Sequence, residues 1–139
     1  MTDAKAFFER VHEVTEFCMA HAGKCFGGWP RETVFLYVGF HALAGSIFVM
    51  RRNGHIAAVG FAWTFEPGTS GHEFNWGRPV PGEALMVREV IGHREACRRL
   101  FKQAREKWPA VKRFFAYRHR GARPVLVEFN PSTIERFCS

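Results

Sequence analysis

Between Gly82 and Trp108 the chain passes from GEALMVREVIG, an apolar run of strand character, to HREACRRLFKQAREKW, an amphipathic run of helix character. Only Gly92 and His93 separate them. A strand that turns so sharply into a helix aims the first free N–H groups of that helix past the strand end. Those donors and the helix dipole favour an anion there. The turn also commits the chain to mixed architecture, with a sheet that carries a helix against it.

The remaining punctuation fits one domain over residues 1–139, a length that can bury a real core. Phe7, Val11, Val14 and Cys18 recur at three- and four-residue steps, so a first helix capped by Thr2 or Asp3 should run to about His21. Gly23 should stop it, and Gly27-Gly28-Trp29-Pro30 is a loop. Thr33 to Phe40 is β-branched and aromatic, and suits a short strand or a distorted helix. Gly45–Met50 and His55–Phe65 flank Arg51-Arg52-Asn53-Gly54, a hairpin with an Asn-Gly turn. A long loop spans Glu66 to Gly82.

After the central strand, Ala96, Leu100, Ala104 and Trp108 form one helical stripe, widened by Cys97 and Phe101. Pro109 ends that helix. Val111–His119 and Pro124–Phe129 are further strands, with a turn at Gly121. The expected class is α+β, with a mixed, mostly antiparallel sheet and flanking helices.

Composition narrows the partners without choosing one. The formal net charge is +7 and the isoelectric point about 9.8. That favours nucleic acid, phosphate, an anionic cofactor or an acidic protein face. Cys18, Cys25, Cys97 and Cys138 show no CxxC spacing, and the histidines show no HxxxH or HExxH pattern, so no metal is expected. Reduced thiols, no signal-like N-terminus and no apolar run of membrane length suit a cytoplasmic chain.

Several residues are candidates for chemistry. Glu89 shares a strand face with Ile91 by alternation, with Arg88 and Val90 on the other. A carboxylate among apolar neighbours gains a raised pKa and can act as a base; a surface carboxylate paired with an arginine is the plain alternative. His41, His72 and His93, in or near loops, are candidate bases, and His93 stands at the turn itself. Lys112–Arg123, KRFFAYRHRGAR, interleaves rings and cations as a nucleic-acid platform would, yet its alternation fits a half-buried strand. Arg94, Arg98, Arg99, Lys102 and Arg105 give the helix after the turn a basic face.

This order of elements resembles the GNAT N-acetyltransferase fold. That family's phosphate loop aligns with Arg88-Glu89-Val90-Ile91-Gly92-His93, where Ile91 and His93 stand in place of two small residues. The chain also resembles the toxin-activating lysine acyltransferases over roughly Cys25 to Phe129. The shared landmarks are Trp29-Pro30, the hairpin SIFVMRRNGHIAAVGFAW, VREVIG with the helix RLFKQAREKWP, and the closing VLVEF. Members carry a fatty acyl group from acyl carrier protein to a lysine.

The resemblance implies acyl transfer from acyl carrier protein or CoA to an amine, with no tightly bound cofactor beyond the acyl-phosphopantetheine donor. It puts the family's acid at Glu89 and its histidine at Phe26. Cys25, next to Phe26, is a candidate nucleophile. Arg88, Gly92, His93 and Arg94 would hold the donor phosphate, and Arg98, Lys102 and Arg105 would dock an acidic carrier. The alternative is a binding protein on the same fold, with nucleic acid or an acidic protein as partner.

Overall fold

The computed structural model describes residues 3–21, 26, 28–65, 84–120 and 123–138. The expected loop over Glu66–Gly82, the turn at Gly121, Cys25 and His72 lie outside them. The chain runs α1 (Asp3–His21), α2 (Arg31–Ala44), β1 (Ile47–Arg52), β2 (His55–Phe65), β3 (Ala84–Gly92), α3 (Arg94–Lys107), β4 (Arg113–Arg120), β5 (Arg123–Phe129) and α4 (Pro131–Cys138). The five strands form one sheet in the order β1-β2-β3-β4-β5. Only β3 and β4 are parallel, so the fold is α+β with a mostly antiparallel sheet, as expected.

The layers follow from the alternation of side chains along the strands. Val59, Phe61 and Ile91 point to one face, where Val11, Val14 and Cys18 of α1 and Val34, Tyr37 and Val38 of α2 cover them. Phe48, Ala58, Ala62, Leu85 and Phe114 point to the other, against Ala96, Leu100 and Ala104 of α3 and Ile134 of α4. The stripes expected on α1 and α3 are the ones that bury. The Asn-Gly turn forms as well, with Asn53 at φ 54° and Gly54 at φ 80°.

One element settles an open choice and one is additional. Thr33–Phe40, open between a short strand and a distorted helix, belongs to a regular α-helix. Its buried residues Val34, Tyr37, Val38 and His41 keep helical spacing, Pro30 caps its start, and Gly45 closes it in the left-handed region at φ 75°. Tertiary burial overrides the β preference of its residues. The short helix α4 is additional. Asn130 Oδ1 accepts from the Ser132 backbone N–H at 2.9 Å, and Pro131 starts the helix.

Candidate functional site

The central strand is bulged. Phe61 pairs with Glu89, but the next residue, Ala62, pairs with Val87, which leaves Arg88 without an opposite number on β2. Regular alternation from Leu85 and Val87 would send Glu89 toward α3. The bulge resets the count, and Glu89 turns toward α1 and α2 with Ile91. Arg88 departs from simple alternation too, since its Nε reaches back to Glu89 Oε1 at 3.3 Å.

Glu89 is only 8% exposed. The Tyr37 hydroxyl donates to its Oε2 at 2.7 Å. Burial pushes the Glu89 carboxyl up to about 7, against the opposing pull of the Tyr37 hydrogen bond and the Arg88 charge. Burial, reinforced by the neighbouring carboxylate, holds the Tyr37 phenol well above its usual range. Arg88, 35% exposed, is the most open member of the group.

One helical turn beyond Tyr37 lies His41. The sequence places it in or near a loop, but it sits inside α2 and is fully buried. Its ring lies 4.4 Å from that of Tyr37 and stacks on Trp63 at 5.3 Å. Nδ1 meets Ser46 Oγ at 2.7 Å, while Nε2 has no hydrogen-bond partner among the described residues. Burial first, then the Arg88 charge, lowers its pKa to about 4, so the imidazole is neutral. Phe26, the position that the resemblance gives to a histidine, is core. Its ring meets Trp29, Tyr37 and Phe61.

Gly92 ends β3 at φ 131°, where a side chain is strained, and a Cβ there would fall 2.3 Å from the Ala57 carbonyl oxygen. The next N–H, that of His93, donates to the same oxygen at 3.1 Å. So the turn is locked to β2, and the His93 backbone N–H is already committed to the Ala57 carbonyl. The His93 side chain is exposed and caps nothing.

On the opposite face the sheet parts. β3 and β4 pair only from Ala84–Val87 to Arg113–Ala116. Arg88–Gly92 and 117–120 continue as strands without pairing to each other. A cleft of about 450 Å³ opens beside the divergence, walled by Val87, Val90, Phe101, Phe129, Ile134 and Phe137. Arg94, at the start of α3, also lines it, with Cys97 further along that helix. Burial raises the Cys97 thiol above its usual value, which keeps it protonated and unreactive.

Candidate residues therefore fall into three groups. Arg88 and Glu89 join Tyr37 and His41 on the α1–α2 side. Gly92 and His93 form the turn, and Arg94 lies on the cleft side. The expected docking cations are partly engaged in holding α4. Arg98 Nε donates to the Phe137 carbonyl at 2.8 Å and its other end contacts Glu95, while Arg105 pairs with Glu135 at 2.6 Å. Lys102 is exposed. Among the described residues no three His, Cys, Asp or Glu side chains gather to hold a metal, and no helix is long and apolar enough to cross a membrane.

Tyr37 and Ser46 carry no signal in the sequence until α2 is known to be a helix. Only then does the four-residue step from Tyr37 to His41 put both rings on the face that meets Phe61. No family model, no curated protein and no solved structure matches the chain.

Proposed function

We propose that the protein moves an acyl group from a phosphopantetheine thioester, carried by acyl carrier protein or CoA, to an amine such as a lysine side chain. The observation that supports this is the parting of β3 from β4 after Val87 and Ala116. The freed edge of β3 offers backbone N–H and C=O groups to an extended, amide-bearing arm, as a further strand would. The apolar cleft beside that edge suits an acyl chain or the carbon backbone of the arm, and Arg94 sits where an anionic end could rest.

In that reaction the amine nitrogen attacks the thioester carbonyl. The C–N bond forms, the C–S bond breaks, and the proton lost by the amine ends on the departing thiol. Glu89, pushed up to about 7, can take that proton only if the amine reaches it past the parted edge of β3, because it faces α1 and α2 across the sheet from the cleft. Tyr37 and Arg88 fix its orientation. Alignment of the two reactants would supply most of the acceleration.

A second reading is a binding protein without turnover, favoured by the fact that both Glu89 oxygens and the His93 N–H already have protein partners. Nucleic acid or an acidic protein is then the partner that a +7 chain suits. Mass-spectrometric acyl transfer and thermal shift with acyl carrier protein and CoA donors test both. Turnover supports the transferase. A donor-induced shift without turnover supports binding, and neither effect with either donor ends the pantetheine reading.

A further inference from the structure

Beyond Glu32, α2 carries no charged residue as far as Ala44. One side of it buries Val34, Tyr37, Val38 and His41 against the sheet. The other side exposes Leu36 at 70%, Phe40 at 44% and Leu43 at 78%. These three recur at steps of four and three, so they form one apolar stripe along the helix. Phe8 of α1 is also exposed, with its ring stacked on Phe35 at 6.5 Å. A groove of about 370 Å³ between α1 and α2 reaches Phe35 and Leu36. A helix apolar on both sides is ordinarily covered on both sides, and a continuous exposed patch marks a contact surface.

Charge argues for what covers it. Copies of a chain at +7 repel one another over most of their surface, but the stripe itself carries no charge. At the start of α2 the exposed Arg31 pairs with Glu16, so Glu32 leaves that end net negative, and Lys107 makes the other end positive. Glu32 is exposed in the first turn, and the exposed Lys107 donates its ammonium N–H to the carbonyl of Gly45, the C-terminal cap. Two copies of α2 packed antiparallel across a two-fold axis near Phe40 would set Leu36 against Leu43 of the second copy. The Glu32 end of each would then lie by the Lys107 end of the other. That arrangement would set apolar side chains against each other and opposite charges at both ends, as an isologous interface requires.

We infer that the Leu36–Phe40–Leu43 face of α2 is the interface of a homodimer. This stands apart from the acyl-transfer reading, since neither the cleft nor Glu89 takes part.

Sedimentation equilibrium of the full chain across a dilution series tests it. The expected mass is twice 16.0 kDa at high concentration. Leu36→Glu with Leu43→Glu should give a monomer with unchanged circular dichroism, raising the dimer dissociation constant at least about tenfold. Glu32→Lys should weaken the dimer, and Lys107→Glu in the same chain should restore it. A wild-type chain that stays monomeric at every concentration overturns the inference, and so does a dimer that survives both leucine substitutions. A monomer that floats with anionic phospholipid vesicles through the same leucines would reassign the stripe to a lipid surface.

Discussion

The Tyr37 hydroxyl donates to Glu89 Oε2 across 2.7 Å, tying the middle of α2 to the bulge of β3. Both groups are buried, so neither finds water when the other is removed. Tyr37→Phe should cost about 1–3 kcal/mol, the penalty for leaving a buried acceptor short of a donor. It should also push the Glu89 pKa higher still. Urea denaturation of the two chains at one pH measures the first effect. Equal midpoints would show that the bond contributes nothing.

Two buried groups of opposite sense contribute to the pH dependence of stability around neutrality. Glu89 rises from 4.5 to about 7 on folding, so the folded chain holds a proton that the unfolded chain releases, and stability falls as pH rises through that window. His41 drops from 6.5 to about 4, so the unfolded chain binds the extra proton, and stability falls as pH falls through that window. Where the windows overlap, the two slopes oppose each other. Glu89→Gln should leave the His41 slope alone, with stability rising from about pH 4 to about 6.5. His41→Phe should uncover the reverse trend, with stability falling from about pH 4.5 to about 7. Denaturation midpoints across pH decide it, and a wild-type profile in either variant refutes the assignment.

If Glu89 relays the proton of the attacking amine, acyl transfer should rise with pH through about 7 and Glu89→Gln should lose about a hundredfold or more in rate. Donor binding, read by thermal shift, should survive the same change, because the carboxylate lies on the face of the sheet opposite the cleft. Unchanged turnover in Glu89→Gln would remove the residue from the chemistry.

Val90 lines the cleft and is partly exposed. Val90→Trp should fill the space and abolish any thermal shift produced by acyl carrier protein or CoA donors. The melting temperature without donor should stay close to that of the parent chain. Donor binding undiminished by the tryptophan would place the donor elsewhere.

Gly92→Ala should be among the costliest single changes, at about 3 kcal/mol. The added methyl would lie 2.3 Å from the Ala57 oxygen and 2.7 Å from the Ala58 Cα, and both are backbone of the adjacent strand. Thermal melting checks this, and a loss below that of an ordinary surface substitution would mean that the turn yields.

Periodicity made much of this structure legible. The stripes of α1 and α3, the Asn53-Gly54 hairpin and the pairing of Glu89 with Ile91 on one face all follow from spacing. The position of Arg88 did not, because a bulge is a property of two strands in register and leaves no mark on either alone. α2 stayed open between helix and strand because β-branched and aromatic residues suit both. The Tyr37–His41 pair was hidden for that reason. α4 had a readable start in Asn130-Pro131-Ser132, but only eight residues to carry a period. That Arg98 and Arg105 hold α4, rather than standing free on a basic face, depends on a tertiary contact that spacing cannot reveal.

The strand order β1-β2-β3-β4-β5 follows the order of the chain, which bears on how the molecule assembles. β1–β2 and β4–β5 begin at residues almost adjacent in sequence, Arg52 with His55 and Arg120 with Arg123, so each ladder can zip outward from its own turn. Such local contacts favour fast folding. The parallel junction of Ala84 with Arg113 is different, because it must wait until α3 has formed and crossed the sheet. The seam that widens into the cleft would then be among the last joined, and a ligand bound along it should slow the first step of unfolding.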